Sequence, residues 1–303
     1  MPILYVAYPS DADPHHITFT SFDENLVGKT DARLTPMKTI GRPGLAASVR
    51  SRLFAYCRGA DAKAGEFNLL VTSTLTRPTI WEPLMVVPEI GIWSSPSLAL
   101  MKDDLYCAFR GPGGGGTGHL HTLLSSLPAN QTTYQWTEET IYEIHMVESP
   151  ALAVYFGKLY CAYQRHSPKG QLDYAIYDFT TKRWTVNQPI KDAKLAESPA
   201  ILSVLGKLYV FYHDAVAAKH LSYSVFDNNI WTAPKILTDV RIAGSPTLVS
   251  YQGKLLCFYR EANSGILSYI SLNNLGTTTM GVELKEADGK PIRISGSPSA
   301  ISF

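Results

Sequence analysis

The chain has 303 residues, with 27 Lys plus Arg against 26 Asp plus Glu and a formal net charge of +1. That balance excludes the broad basic field that holds nucleic acid or an anionic membrane surface, and 45% hydrophobic with 17% charged residues excludes wholesale disorder. Aromatics at 11%, 22 Gly and 19 Pro point to an all-β chain of short aromatic strands joined by many turns.

The first segment, Met1-Pro-Ile-Leu-Tyr-Val-Ala-Tyr8, reads as a strand. It has no basic n-region and meets Asp11 and Asp13 at once, so it is not read as a secretory leader. The expected location is cytoplasmic, or exported without a classical signal peptide. No stretch of 18 apolar residues follows anywhere, so no membrane span is expected. His15-His16 reads as a solvated or packed pair rather than a metal site.

From Arg42 onward the chain repeats itself. Arg42-Pro43-Gly44-Leu45-Ala46 is a degenerate first copy of Ser95-Pro96-Ser-Leu-Ala-Leu100, Ser149-Pro150-Ala-Leu-Ala-Val154, Ser198-Pro199-Ala-Ile-Leu-Ser203 and Ser245-Pro246-Thr-Leu-Val-Ser250. Ser297-Pro298-Ser-Ala-Ile301 is a last, truncated copy. The prolines are spaced by 53, 54, 49, 47 and 52 residues, so six units of about 51 fill the chain.

Each unit has one internal order. A short run follows the Pro. A Gly-Lys turn then opens a second strand, as in Gly157-Lys-Leu-Tyr-Cys-Ala-Tyr163, Gly206-Lys-Leu-Tyr-Val-Phe-Tyr212 and Gly253-Lys-Leu-Leu-Cys-Phe-Tyr259. A third run follows, such as Leu172-Asp-Tyr-Ala-Ile-Tyr-Asp178, and a fourth begins near Trp81, Trp136, Trp184 or Trp231. Four alternating strands per repeat of this length mark a propeller blade. The second strands are apolar on both faces, with Leu159, Cys161 and Tyr163 on one and Tyr160 and Ala162 on the other. The four cysteines, Cys57, Cys107, Cys161 and Cys257, sit in such runs and read as small buried residues.

These features predict an all-β, six-bladed β-propeller with four antiparallel strands per blade. Its blades are expected over 297–303 plus 3–40, 42–93, 94–147, 148–196, 197–243 and 244–296. Setting 297–303 on 149–155 puts Leu4 on Leu159, so the N- and C-terminal strands are expected to pair and close the ring.

In an antiparallel blade, the lead-in to the first strand and the end of the second share one rim. The lead-ins carry Arg42, Trp93, Glu148, Glu197, Gly244 and Gly296. The second strands end on Arg58, Arg110, Gln164, His213, Arg260 and Pro9, followed by residues such as Arg165, Asp214 and Glu261. These positions diverge while the strand cores stay alike, the pattern expected of a specialised site on a symmetric scaffold. Arg42, Arg58, Trp93, Arg110, Gln164, Arg165, Arg260 and Glu261 are therefore the candidate ligand-binding residues. Glu148, Glu197 and His213 are the acid–base candidates if the protein is an enzyme.

Other motifs carry less. Gly111-Pro-Gly-Gly-Gly-Gly-Thr-Gly118 lacks the Gly-Lys-Ser/Thr of a phosphate loop and reads as a flexible rim loop. His119 and His121 share a strand face but have no thiol or carboxylate at ligand spacing. No metal and no cofactor are expected.

The run Leu159-Tyr-Cys-Ala-Tyr-Gln164, with Gln171-Leu-Asp-Tyr-Ala-Ile-Tyr-Asp178 and Trp184, resembles the six-bladed propeller lectins, notably the fungal fucose-binding type. The resemblance implies sugar pockets between blades, built from an Arg, a Glu and a stacking aromatic, with Arg58, Arg110 and Arg260 as the Arg. At the position of the family's third-strand Glu this chain has Thr18, Asn68, His121, Asp173, Ser222 and Ser268. The sialidase fold is a weaker comparison. Its arginine cluster is imitated by Arg42, Arg58, Arg110 and Arg260, but its Ser-x-Asp-x-Gly-x-Thr-Trp box is missing.

The first functional expectation is a carbohydrate-binding lectin with pockets on the Arg/Trp rim, its partner a glycan or small-molecule ligand and not a nucleic acid. The second is an enzyme, a hydrolase, lyase or cyclase, with one active site in the central funnel. A protein-interaction scaffold is the third.

Overall fold

The computed structural model describes residues 3–33, 38–48, 52–59, 67–72, 81–87, 91–101, 104–111, 118–126, 135–217, 219–273 and 278–302. Every named element is a β-strand, and every ladder between named strands is antiparallel. Among the described residues no helix is long and apolar enough to cross a membrane. Most of the Gly-rich loop, residues 112–117, lies outside the described residues, as does the side chain of Cys57.

The N-terminal sheet holds β1 (Leu4–Pro9), β2 (Ile17–Phe22) and β3 (Gly28–Arg33). The next two hold β4 (Thr39–Ser48), β5 (Arg52–Gly59), β6 (Phe67–Thr72) and β7 (Trp81–Val87), then β8 (Ser97–Met101), β9 (Asp104–Arg110), β10 (Gly118–Ser126) and β11 (Gln135–Met146). A five-stranded sheet follows: β12 (Ala151–Tyr155), β13 (Lys158–Gln164), β14 (Gln171–Asp178), β15 (Arg183–Trp184) and β16 (Gln188–Lys194).

The last sheet has eight strands: β17 (Ala200–Val204), β18 (Lys207–His213), β19 (His220–Asp227), β20 (Ile230–Trp231), β21 (Lys235–Tyr251), β22 (Lys254–Glu261), β23 (Leu267–Leu272) and β24 (Val282–Glu283). The long β21 joins two ladders. Its first half pairs with β19 and its second with β22, with a register shift between Ala243 and Thr247. Strand β25 (Ser299–Ser302) returns to the N-terminal sheet and pairs with β1, Leu4 opposite Ser302. That is the register of Leu159 opposite Val154 in β12–β13.

Period-2 alternation decides how the sheets stack. Leu159, Cys161 and Tyr163 of β13 pack in one core with Ala108, Leu120 and Met146 of the preceding sheet. Tyr160 and Ala162 pack in another with Leu208, Val210 and Tyr212 of β18. Tyr209 and Phe211, on β18's other face, meet Leu255, Cys257 and Tyr259 of β22. Leu256 and Phe258 then meet Leu4, Val6 and Tyr8 of β1. The described second strands β13, β18 and β22 are thus buried on both faces, which is why they are apolar at nearly every position. Cys107, Cys161 and Cys257 are free and buried, and desolvation holds their thiols above the usual cysteine range.

The first strands stand side by side: β4 by β8, β8 by β12, β12 by β17, β17 by β21, β21 by β25, and β25 by β4. A serine relay ties four of these six neighbouring pairs. The backbone N–H of Arg42 donates to Ser95 Oγ, that of Ser95 to Ser149 Oγ, that of Ser149 to Ser198 Oγ, and that of Ser245 to Ser297 Oγ. The repeated Ser-Pro is therefore a seam between sheets, the Ser accepting from a neighbour where the Pro cannot donate. Gly41 and Gly244 sit at positive φ against Ser95 and Ser297, where a Cβ would come within 2.5 and 2.7 Å of the hydroxyl oxygen.

Candidate functional site

The ends of the second strands are organised by a second relay. Arg58 Nη1 donates to the Trp93 carbonyl at 3.4 Å, and Arg110 Nη1 donates to the Val147 carbonyl. Gln164 Nε2 donates to the Leu195 carbonyl at 2.6 Å, and Arg260 Nε to the Ile294 carbonyl at 2.8 Å. In each case a side chain reaches the lead-in segment of the following repeat. The lead-in amides complete the link: Trp93 N–H donates to the Arg110 carbonyl, Val147 to Gln164, Ala196 to His213 and Ser295 to Pro9. Arg and Gln share one property at these positions, a side-chain N–H donor. The divergence seen in the sequence is partly variation on that structural theme. Gln164 is 2% exposed and serves as a clamp.

Between Arg58 and Glu197 the rim keeps groups beyond these clamps. The Arg110 guanidinium lies over the Trp93 ring, 5.8 Å from its centroid. Burial raises the Glu148 carboxyl, Glu197 raises it further, and Arg110 and Lys169 pull it down. Burial also raises Glu197. Burial lowers Arg110, Glu148 opposes that, and Arg58 adds to it. Arg58, Arg110, Glu148 and Glu197 thus form one electrostatically linked row.

Strand register builds the next part. Asp173 on β14 pairs with Tyr163 on β13, so Arg165 just beyond returns over it. Arg165 Nε donates to Asp173 Oδ2 at 2.6 Å, and Nη2 donates to the Asn187 carbonyl at 2.9 Å. Asp173 is fully buried, and desolvation pushes its pKa up to about 6 against the pull of Arg165. The same hairpin geometry in the next repeat gives Asp214 with Ser222, whose hydroxyl donates to Asp214 Oδ2 at 2.8 Å. The acid has moved from the third strand to the second-strand end. Asn187, at positive φ, is held by the Tyr163 hydroxyl at 3.1 Å and donates from Nδ2 to the Glu143 carbonyl at 3.1 Å.

Arg165 and Asn187, with Glu143, His145, His166 and Ser167, line an open pocket of about 280 Å³ between β11 and the β13–β14 turn. The His145 ring lies 4.5 Å, centroid to centroid, from that of His119, tilted at 56°. The sequence reading missed Glu143, His145, His166 and Asn187. Their signal was position: His166 follows Arg165 in the same turn, and Glu143 and His145 lie within five residues of Glu148.

The remaining candidates lie elsewhere. Arg42 leaves the rim and crosses the cavity between the first strands, donating to the carbonyls of Pro246 at 2.7 Å and Pro199 at 3.3 Å. Glu261 accepts from Ser264 Oγ in its own turn. His213 is half-buried, and desolvation lowers its pKa. His121 pairs with Glu138 at 2.9 Å. Of the acid–base and binding candidates, Arg42 is the one among the residues lining that cavity.

No known protein family and no curated protein matches the chain. Solved structures do match. A mutant of the Aleuria aurantia lectin AAL in complex with Fucalpha1-6GlcNAc aligns with a TM-score of 0.67 at 11% identity, covering 94% of this chain and 96% of that one. An arginine-to-alanine triple mutant of AofleA from Arthrobotrys oligospora aligns at 0.68 and 13%, covering 98% and 88%. The GH43_1 enzyme from Xanthomonas citri, complexed with xylotriose, aligns at 0.54 and 13%, covering 85% and 94%. The chain therefore shares the propeller-type fold of the fucose-binding lectins, with a weaker likeness to the GH43 enzymes.

Proposed function

We propose that the protein is a carbohydrate-binding lectin, a closed six-bladed propeller with its glycan pockets on the Arg- and Trp-bearing rim. The six Pro-led repeats support the blade count, with the eight-stranded sheet taken as two blades divided at Gly244. The side-by-side order of the six first strands and the pairing of β25 with β1 support closure.

The observation that carries the binding reading is the rim pocket between β11 and the β13–β14 turn. It joins a carboxylate, two imidazoles, an amide and a guanidinium in an open space of about 280 Å³. Arg165 is fixed in advance by Asp173 and Asn187, so little side-chain entropy is lost when it meets a ligand. A sugar hydroxyl can accept from its remaining Nη1 donors, and the half-buried Trp93 ring offers a face to sugar C–H surfaces. The lectin neighbours, one crystallised with a fucosylated disaccharide, support this ligand class.

A glycan array followed by calorimetry on free saccharides tests it. At least one glycan is expected to bind, more weakly in Arg165→Ala. No binding to any glycan at millimolar concentration overturns the reading.

One observation favours a second reading. Glu148 and Glu197 are adjacent carboxylates, both raised by burial, and paired carboxylates of this kind serve glycoside hydrolysis. The GH43 neighbour complexed with xylotriose fits that reading. Oligosaccharide turnover abolished by Glu148→Gln and Glu197→Gln would establish it.

A further inference from the structure

We propose that the cavity between the six first strands is a binding site for a small amphiphilic monoanion, with the anionic head on Arg42 and an apolar body along the strand walls. The cavity measures about 360 Å³, inside the range of about 300–1,000 Å³ typical of small-molecule sites. Its walls mix polar groups with half-buried apolar side chains such as Leu45, Leu202 and Ile301.

The polar groups in these walls are mostly engaged. Ser97 Oγ accepts from the Leu152 N–H, and Thr247 Oγ1 accepts from the Ala300 N–H. Ser299 donates to the Pro43 carbonyl, and Ser302 to the Ser250 carbonyl. These bonds run between neighbouring strands and hold the wall together. Arg42 is the one charged residue in the lining among the described residues.

Arg42 is unusual in its setting. Its guanidinium is hydrogen-bonded to two proline carbonyls, from Pro199 and Pro246. Those carbonyls take two of its five N–H groups and supply no net negative charge. Desolvation alone lowers its pKa to about 10, and no carboxylate acts on it among the described residues. Arg42 is partly buried, and a partly desolvated charge without a counter-charge carries a cost that an anion bringing its own charge relieves. A carboxylate accepts the guanidinium's remaining donors in charge-assisted hydrogen bonds, while an alkyl chain replaces water along the apolar stretches of a mixed wall. This site is separate from the rim pocket and stands whether or not the rim binds glycan.

The test uses octanoate and its neutral counterpart 1-octanol, titrated into the intact protein by calorimetry. Octanoate is expected to bind at least ~10-fold more tightly than 1-octanol, the difference made by charge-assisted bonds to Arg42. Arg42→Gln is expected to bring the two ligands to the same affinity. Ser250→Trp, which fills the cavity and leaves Arg42 in place, is expected to abolish octanoate binding. The wild-type comparison needs no variant, so the proposal stays falsifiable if either substitution impairs folding. Absence of octanoate binding, equal affinity for octanoate and 1-octanol, or unchanged octanoate affinity in folded Arg42→Gln or folded Ser250→Trp overturns it.

Discussion

Trp93 and Arg110 hold each other twice. The Trp93 backbone N–H donates to the Arg110 carbonyl at 2.8 Å, and the Arg110 guanidinium returns over the Trp93 ring at 5.8 Å. The backbone bond fixes the lead-in segment, and the side-chain contact fixes the face that the rim presents. Replacing Arg110 by Lys keeps the charge but loses the planar fork and its stacking. Arg110→Lys and Trp93→Ala should each weaken glycan binding about tenfold, roughly 1.4 kcal/mol. Calorimetry checks this against far-UV circular dichroism that should stay unchanged.

The serine seam predicts a stability effect. Ser198 Oγ is the acceptor for the buried Ser149 N–H at 3.0 Å. Ser198→Ala leaves that donor unsatisfied and should cost about 1–3 kcal/mol in urea unfolding. Lys191→Ala, at an exposed position, should stay within about 0.5 kcal/mol.

Arg165 and Asp173 predict a pH-dependent cost. Asp173 is fully buried with a pKa near 6, so removing Arg165 leaves its charged form without compensation. Arg165→Met should destabilise by about 3 kcal/mol at pH 8. The loss should shrink toward pH 4, where the carboxyl is neutral. Adding Asp173→Asn should restore most of the stability at pH 8. Thermal unfolding across that pH range measures both.

Glu148 and His213 titrate with opposite consequences. The folded Glu148 pKa is raised, so its contribution to stability is full below the unfolded carboxylate pKa and is lost as pH rises. Glu148→Gln should therefore gain stability relative to wild type between pH 4 and pH 8. The folded His213 pKa is lowered, so its contribution is present above the unfolded imidazole pKa and is lost as pH falls. His213→Gln should flatten the acid side of the stability profile below pH 6.5. Denaturant midpoints across pH 4–8 check both slopes.

What was legible in the sequence was local and periodic. Leu159, Cys161 and Tyr163 separate from Tyr160 and Ala162 because strand side chains alternate, and one repeat is enough to show it. The pairing of Leu4 with Ser302 follows from repeat register alone. The site was less legible because its decisive contacts are long-range. Arg42 reaches Pro246 and Pro199, 204 and 157 residues away, and no local pattern distinguishes that from a rim arginine. Gln164 diverges from Arg110 in the sequence yet performs the same clamp, because amide and guanidinium both donate N–H. His145 and Asn187 come to Arg165 from outside its own hairpin and were therefore missed.

The most direct test is a crystal structure of the protein with the tightest glycan found on the array. A saccharide lying on the rim, bonded to Arg165 in the pocket beside His145 and Asn187 or stacked on Trp93 beside Arg110, is the predicted result. A single saccharide between the first strands, touching Arg42 and none of these rim groups, would contradict the account.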